Sequence, residues 1–372
     1  MEDLAFVTPS VATRNPALRR LLLFNLATDE DDPLLGFTAG WIRALASRIP
    51  SVDVVTMRAG AANLPDNVRL YSIGKERGWS EARRLAEFYR RLGHLLHENA
   101  YDACFAHMQP RFALLAAPLL KPKGVPITLW YTHPDTAWAL RAAVRAVDRV
   151  ITADPNSCRV RTPKLLATGH GIDTDRFVPA FRDRSKSCIR ILAVGRLAPC
   201  KRLDLLLDAV ARLEGRLTQT LEVRIIGPTA SLDAPYEASL RRQAAELASN
   251  TTFLGPRRPD DLIPAYQAAD MVVSLTGLGF FDKSALEAMS CGVPLLTMNP
   301  AFAPHLAAAG SPGPIADGNA LELANAIERV ASAPVEERRQ WGLGLRDEVI
   351  RAHSLQRLAD LLVDKILCPA GS

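Results

Sequence analysis

Two clusters of residues in the C-terminal half have the types and spacing to hold a phosphorylated ligand. The first is Arg196 and Lys201, which follow Val194-Gly195 just after an apolar run that reads as a strand. The second is Leu278–Pro294, LGFFDKSALEAMSCGVP, read as a Gly/aromatic loop, a helix carrying Glu287, and a Cys-Gly-Val-Pro turn into a new strand. A loop that opens a helix leaves free backbone N–H groups at its N-terminus, where phosphate binds. Lys283 and Ser284 enter through those backbone groups, whatever their side chains do. Glu287, one turn further in, is placed to hold a pair of ribose hydroxyls. The guanidinium and ammonium groups suit the negative charge of a diphosphate, including charge that develops when a sugar–phosphate bond breaks. Singly, these residues read as surface charge and a carboxylate favoured by the helix dipole. Joined, they describe a site for a nucleoside diphosphate.

The wider pattern resembles a known family. GRLAPCK at Gly195–Lys201, FLG at Phe253–Gly255, YQAAD at Tyr266–Asp270 and LEAMSCGVP at Leu286–Pro294 follow the order and spacing of the retaining GT-B glycosyltransferases of family 4, the glycosyl transferases of group 1. HGIDTDRFVP at His170–Pro179 is similar to that family's interdomain segment. The resemblance runs from about Leu21 onward and is most specific from His170 to Pro294. It implies two Rossmann-like domains facing each other across a cleft. It also implies transfer of a hexose from a nucleoside-diphosphate sugar, with retention of anomeric configuration, to an acceptor in the N-terminal domain. That acceptor is a lipid-linked saccharide or a small aglycone, and no metal is expected.

By the same resemblance, Arg196 and Lys201 bind the leaving diphosphate and Glu287 the ribose. Gly195, Gly227, Leu254, Gly279, Phe280, Phe281, Lys283 and Ser284 line the donor. Leu35-Gly36-Phe37 is similar to the family's Gly-rich loop, with Gly36 letting the backbone approach the donor phosphates at a helix start. His133, which ends WYTH, matches a histidine beneath the donor sugar that hydrogen-bonds the sugar or stabilises charge there. His107, in FAHMQP, ends the preceding strand, and strand ends of this kind face the crevice of an open α/β sheet. His107 and His133 are therefore placed on the acceptor side. One position departs from the pattern: the family carries a second glutamate where this chain has Gly279. Asp282 is the nearest acid and either caps the helix, contacts the donor sugar, or does both. Two other readings stay open. One is a nucleotide-sugar epimerase of the same fold; the other is a non-catalytic protein that only binds a nucleotide or partner.

These residues need elements to position them. From Leu21 to Thr152 strand and helix signals alternate, with helices expected over Phe37–Ser47, Ser80–His97 and Asp135–Val147 and a buried helix over Phe112–Leu120. A second alternating series runs from Cys188 to Thr297, with helices over Arg202–Leu213, Ala234–Ala248 and Asp260–Gln267. Such alternation predicts an α/β fold with parallel sheets covered on both faces. The expected division is a mobile tail over 1–18, an N-terminal Rossmann-like acceptor domain over 19–170, and a C-terminal Rossmann-like donor domain over 171–354. A last helix over 355–372 is expected to cross back, as in proteins of this kind.

Composition narrows the function classes. The chain has 372 residues, 48% hydrophobic and 23% charged, which suits two ordinary globular domains. No apolar run approaches a bilayer span. Leu21–Leu23 is too short for a signal-peptide core, so a cytoplasmic protein is expected. Six cysteines without metal-ligand spacing read as reduced thiols. There is no G-x-G-x-x-G and no Walker A motif, which argues against a nicotinamide cofactor or a P-loop. The acidic run Asp29–Asp32 invites a hard cation, but adjacent carboxylates in a loop mostly repel and solvate. Residues 1–172 hold 22 Lys/Arg against 16 Asp/Glu, the basic excess including Arg83, Arg84, Arg90, Arg91, Arg141 and Arg145. This is either a solvated surface or a face that meets an anionic membrane on its inner side. Nucleic acid is not expected, because no aromatic-plus-basic array of the kind that stacks bases is seen.

Overall fold

The computed structural model describes residues 18–180, 187–315 and 318–367. The chain divides into two compact units, Met1–Gly171 with Ser354–Ser372, and Ile172–His353. The expected tail lies outside the described residues except for Leu18, which is buried, and Cys368 lies outside them as well.

The first unit contains strands β1 (Arg20–Thr28), β2 (Ser51–Ala59), β3 (Val68–Ser72), β4 (Ala103–His107), β5 (Ile127–Trp130), β6 (Arg149–Thr152) and β7 (Leu165–Ala167). Its helices are α1 (Phe37–Ala46), α2 (Glu81–Glu98), α3 (Pro110–Leu120) and α4 (Trp138–Ala146). The sheet is parallel with order β3-β2-β1-β4-β5-β6-β7. Strands β4 and β5 are buried at every position, as expected of central strands covered on both faces. Helix α2 lays Phe88, Leu92, Leu95 and Leu96 against a core that includes Leu22, Phe24 and Phe112.

The second unit contains β8 (Cys188–Val194), β9 (Thr220–Ile226), β10 (Asn250–Phe253), β11 (Met271–Ser274) and β12 (Leu295–Thr297). Its helices are α5 (Leu203–Ala211), α6 (Ala234–Ala245), α7 (Pro259–Ala268), α8 (Lys283–Ser290), α9 (Ala303–Ala308), α10 (Ala320–Ser332) and α11 (Val335–His353). Its sheet is also parallel, with order β10-β9-β8-β11-β12. The last helix, α12 (Leu355–Leu361), belongs to the first unit and packs on α1.

In each unit the strand order reverses once. The loops that diverge there follow β1 and β4 in the first unit and β8 and β11 in the second. Open α/β sheets bind ligands at that switch point, outside the carboxyl ends of the strands. At the second switch Arg196 lies on the loop after β8 and Glu287 on helix α8, which follows the loop after β11; at the first, Gly36 lies on the loop after β1 and His107 ends β4.

Three local features differ from the sequence reading. β7 and α9 have only three and six residues, too short to show periodicity. Helix α4 starts at Trp138 and not at Asp135, because Asp135 N–H turns back to His133 Nδ1 at 3.1 Å. Helix α5 has a cap that the sequence did not show. Tyr236, on α6, accepts Leu203 N–H at 2.9 Å and Asp204 N–H at 3.3 Å through its hydroxyl and donates to the Asp204 carboxylate at 2.7 Å.

Candidate functional site

Gly195, Arg196, Lys201, Ser274 and Leu275 line one depression at the ends of β8 and β11. Its floor depends on a close approach of two loops. A Cβ at Gly227 would lie 1.8 Å from the Gly195 carbonyl oxygen, so only glycine fits there. Gly195 N–H donates to Ile226 O at 2.9 Å and Gly227 N–H to Gly255 O at 3.0 Å. Leu254 N–H donates to Ile225 O at 2.9 Å. Three of the expected donor positions thus lie along one laced set of strand ends.

Arg196 is exposed and, among the described residues, its side chain has no hydrogen-bond or ion-pair partner, while its carbonyl accepts Ala198 N–H at 2.9 Å. Lys201 is held: its Nζ lies 2.9 Å from both carboxylate oxygens of Asp282, with the two side chains 19% and 11% exposed. Asp282 also accepts hydrogen bonds from Ser274 Oγ at 2.8 Å and from Thr276 Oγ1. This corrects the capping expectation. Asp282 stands at the N-cap of α8 with extended backbone, but its side chain accepts none of the helix N–H groups. A carboxylate already bound to an ammonium and two hydroxyls gains little by turning to neutral amides. The first turn of α8 therefore keeps its positive end without a capping carboxylate.

Glu287 is buried and engaged on both oxygens. Tyr266 donates its hydroxyl at 3.1 Å, and Lys283 Nζ pairs with the other oxygen. Burial, then the neighbouring Glu287 charge, raises the Tyr266 pKa well above its ordinary value. Tyr266 thus stays a donor. Ser284 Oγ donates to Val194 O at 3.1 Å and ties α8 to the end of β8. The side chains of Lys283 and Ser284 are both used internally.

For the Phe281 ring the expected donor lining is corrected. Phe281 is buried, stacked on Phe302 at 4.6 Å between centroids and 5.2 Å from His353. It is a core residue that anchors the loop, because a ring of that size gains more from burial than from solvent. The Phe280 carbonyl accepts a hydrogen bond from Asn299 Nδ2. Gly279 has φ +100°, a conformation that L residues disfavour.

In the first unit His107 ends β4 and is buried among Trp41, Trp130, Phe37 and Phe105. Its Nε2 has no hydrogen-bond partner among the described residues, and burial lowers its pKa to about 3. His107 is therefore a neutral imidazole in an aromatic box. His133 is exposed on the neighbouring loop. The ends of β4 and β5 are joined by Met108 N–H to Trp130 O at 2.9 Å. Gly36 has φ −58°, open to any residue, so the freedom expected of a glycine is not used there. The acidic run is occupied. Asp32 pairs with Arg58 and accepts Leu34 and Leu35 N–H at 2.8 Å, while Glu30 pairs with Arg43.

Residues that the sequence did not single out are Tyr266, Ser274 and Thr276. Tyr266 stood inside YQAAD, but nothing in its spacing pointed to Glu287. Ser274 and Thr276 sit at a strand end and differ from any other hydroxyl only by their partner.

Residues 175–345 match the family described as glycosyl transferases group 1. The chain resembles the glycosyl transferases of group 1. Among curated proteins it is 31% identical over 193 residues to a D-inositol 3-phosphate glycosyltransferase of Rhodococcus opacus, covering 49% of this chain and 42% of that one. It is 32% identical over 170 residues to the protein of that name from Mycolicibacterium smegmatis, covering 43% and 38%. The chain thus spans about two-fifths of the length of these curated relatives. Among solved structures it is similar to Anabaena HepE in complex with UDP and glucose, with TM-score 0.72, 16% identity, and coverage of 94% and 99%. Sucrose-phosphate synthase from Thermosynechococcus elongatus gives TM-score 0.71 at 17% identity, with coverage of 92% and 96%. Like these solved structures, the chain has two Rossmann-like parallel-sheet units, the GT-B fold. The matched stretch contains every donor-side residue named above except Gly36. Among the described residues no helix is long and apolar enough to cross a membrane.

Proposed function

We propose that this chain is a retaining hexosyltransferase that takes its sugar from a nucleoside diphosphate donor. The observation that carries the reading is the switch point of the second unit. There an unpartnered Arg196, Lys201, the uncapped start of α8 and a doubly held Glu287 converge from two adjacent strand ends. Positive groups fixed in place before reaction stabilise the diphosphate that leaves. Glu287 presents a carboxylate for the ribose, and its two internal partners fix its direction. HepE was solved with UDP, so uridine donors are the first to test. The curated relatives are named for a phosphorylated inositol acceptor, which puts a polar, anionic acceptor beside a lipid-linked saccharide as the class to try. In this reading His133 meets the donor sugar, His107 shapes the acceptor side, and the protein works without a metal, in the cytoplasm or against the inner face of a membrane.

A thermal-shift screen of UDP, GDP, ADP and their sugars tests the donor. Ligand at about 100 times its dissociation constant stabilises by roughly 2.7 kcal/mol. Arg196→Ala and Lys201→Ala should each lower the response while leaving the protein folded. Unchanged diphosphate affinity in both variants would remove the assignment. The anomeric configuration of the product, read by NMR, tests retention.

A second reading is favoured by one observation. With Gly279 in place of an acid and Asp282 turned to Lys201, the donor loop carries no carboxylate free for the sugar. A protein that binds the nucleotide without transferring sugar fits that arrangement. Nucleotide binding without transfer to any saccharide acceptor would decide for it.

A further inference from the structure

The first unit carries a second concave surface, away from the β1 and β4 strand ends. The segment joining β6 to β7 runs beside α4 and encloses with it a groove of about 620 Å³, the size of a pocket for a small organic ligand. Arg141, Arg145, Arg159, Arg161 and Lys164 line it, and no acidic residue does, among the described residues.

The wall is a built feature. Lys164 Nζ donates to Val147 O at 2.6 Å and Val144 O at 3.1 Å. It thereby satisfies carbonyls at the open C-terminal end of α4 and clamps the segment to it. The other four cations are not used in this way. Arg141 and Arg145, four residues apart, share one face of α4. Arg141 reaches only Thr136 Oγ1 at 3.4 Å, and Arg145 only the Arg141 carbonyl at 3.5 Å. Arg159 and Arg161 are exposed and have no hydrogen-bond or ion-pair partner among the described residues.

Other arginines of the unit have a carboxylate partner, as Arg69 has Asp53 and Arg43 has Glu30. On α2, Arg90 and Arg91 share Glu87, at 2.6 and 2.7 Å. Four guanidinium groups converging on one hollow without a counter-charge repel one another, and an anion relieves that repulsion. Guanidinium forks match phosphate oxygens in pairs. We propose that the groove between α4 and residues 159–164 binds a ligand bearing phosphate groups, at a site separate from the donor loops of the second unit. A free phosphorylated metabolite and an anionic lipid headgroup present the same chemistry there.

The test uses the full chain and the paired variant Arg159→Gln/Arg161→Gln, whose side chains hold nothing else in place. Inorganic pyrophosphate binding is measured by calorimetry with the donor site saturated by UDP, or in an Arg196→Ala/Lys201→Ala background if UDP does not bind. That choice keeps failure of the donor reading apart from failure of this one. The wild type should bind pyrophosphate, and the paired variant should bind about tenfold or more weakly, since two charge-assisted contacts are lost. Melting temperature and any UDP response should not change. Phosphatidylcholine vesicles with and without phosphatidylglycerol form the second arm. Binding that needs the anionic lipid and is lost in the variant supports the proposal with a headgroup as source. Equal behaviour of wild type and variant in both arms overturns it. So does binding of a nucleic acid oligomer that depends on these arginines in the absence of pyrophosphate and vesicle binding.

Discussion

Asp282→Asn separates two roles for the carboxylate in the donor loop. In the folded protein the carboxylate faces Lys201 Nζ at 2.9 Å from both oxygens. A phosphate on the far side of that ammonium would lie about 6 Å from the carboxylate, since each contact is about 3 Å. Two unit charges at that distance repel by about 3 kcal/mol at an effective dielectric near 20. Asparagine keeps an acceptor for Ser274 and Thr276 but removes the charge. Without ligand the variant should lose stability, by about 1–3 kcal/mol, because a mostly buried ammonium is left unpaired; a fully buried pair would cost about 3–5 kcal/mol. With a nucleoside diphosphate bound, the ligand supplies the missing charge. Affinity should then rise about tenfold or more, solvent reducing the 3 kcal/mol limit. The assay is titration calorimetry with UDP beside urea unfolding of the apo protein. Repeating both in a Lys201→Ala background should cancel the gain, since the competition is for that side chain. A folded Asp282→Asn protein with unchanged or weaker UDP affinity would refute the reasoning and leave Asp282 as a group that contacts the donor.

Gly227→Ala places a Cβ 1.8 Å from the Gly195 carbonyl; it should cost about 3 kcal/mol in urea unfolding and weaken UDP binding, and a variant of wild-type stability would show that the two loops are not in contact. His107 predicts a pH dependence. Burial holds its folded pKa near 3, below the unfolded value of about 6.5, so the unfolded chain binds the extra proton between these limits and stability falls as pH falls through 6.5. Between pH 7 and pH 5 this one group should remove about 2 kcal/mol, and His107→Phe should lack that part of the fall in a urea series; equal slopes for the two proteins would contradict it. Chelation by EDTA should leave sugar transfer intact, because Asp32 and Glu30 are already paired with Arg58 and Arg43; full loss restored by magnesium or manganese would show that carboxylates in this chain hold a metal.

The architecture was legible because long parallel strands and their helices repeat two clear periods. Leu21–Leu23 and Cys188–Val194 are apolar runs that a doubly covered sheet requires. Helix α2 shows its buried stripe directly in Phe88, Leu92, Leu95 and Leu96. The short elements were not legible, since three residues such as Leu165–Ala167 carry no period. At the candidate site, the sequence marked the groups with unusual chemistry, Arg196, Lys201 and Glu287, but not what faces them. Tyr266 is separated from Glu287 by twenty-one positions in the chain, and Tyr236 from the α5 amides it caps by thirty-three. Such pairings are created by packing between elements, so no local signal encodes them. Phe281 shows the converse. The resemblance placed it at the donor, whereas its ring stacks on Phe302 in the core.

Gly279 and Asp282 have to be understood together. A glutamate at 279 would need φ near +100°, which an L residue adopts only at a cost of about 1–2 kcal/mol. The backbone of this loop takes a path that glycine permits. That path leads into Phe281, buried against Phe302, and then into Asp282, whose carboxylate is drawn to Lys201 and to the hydroxyls of Ser274 and Thr276. The carboxylate of this loop is thus engaged with the Lys201 ammonium and two hydroxyls, and under the proposed function it neutralises a cation meant for phosphate. Two consequences follow from the same geometry. Under the proposed function, Arg196, whose side chain is exposed and without a partner among the described residues, is the cation that first meets an incoming diphosphate. Under the same proposal, recognition of the sugar falls to backbone N–H groups at the start of α8 and to side chains outside this loop, because the loop's own carboxylate is already engaged.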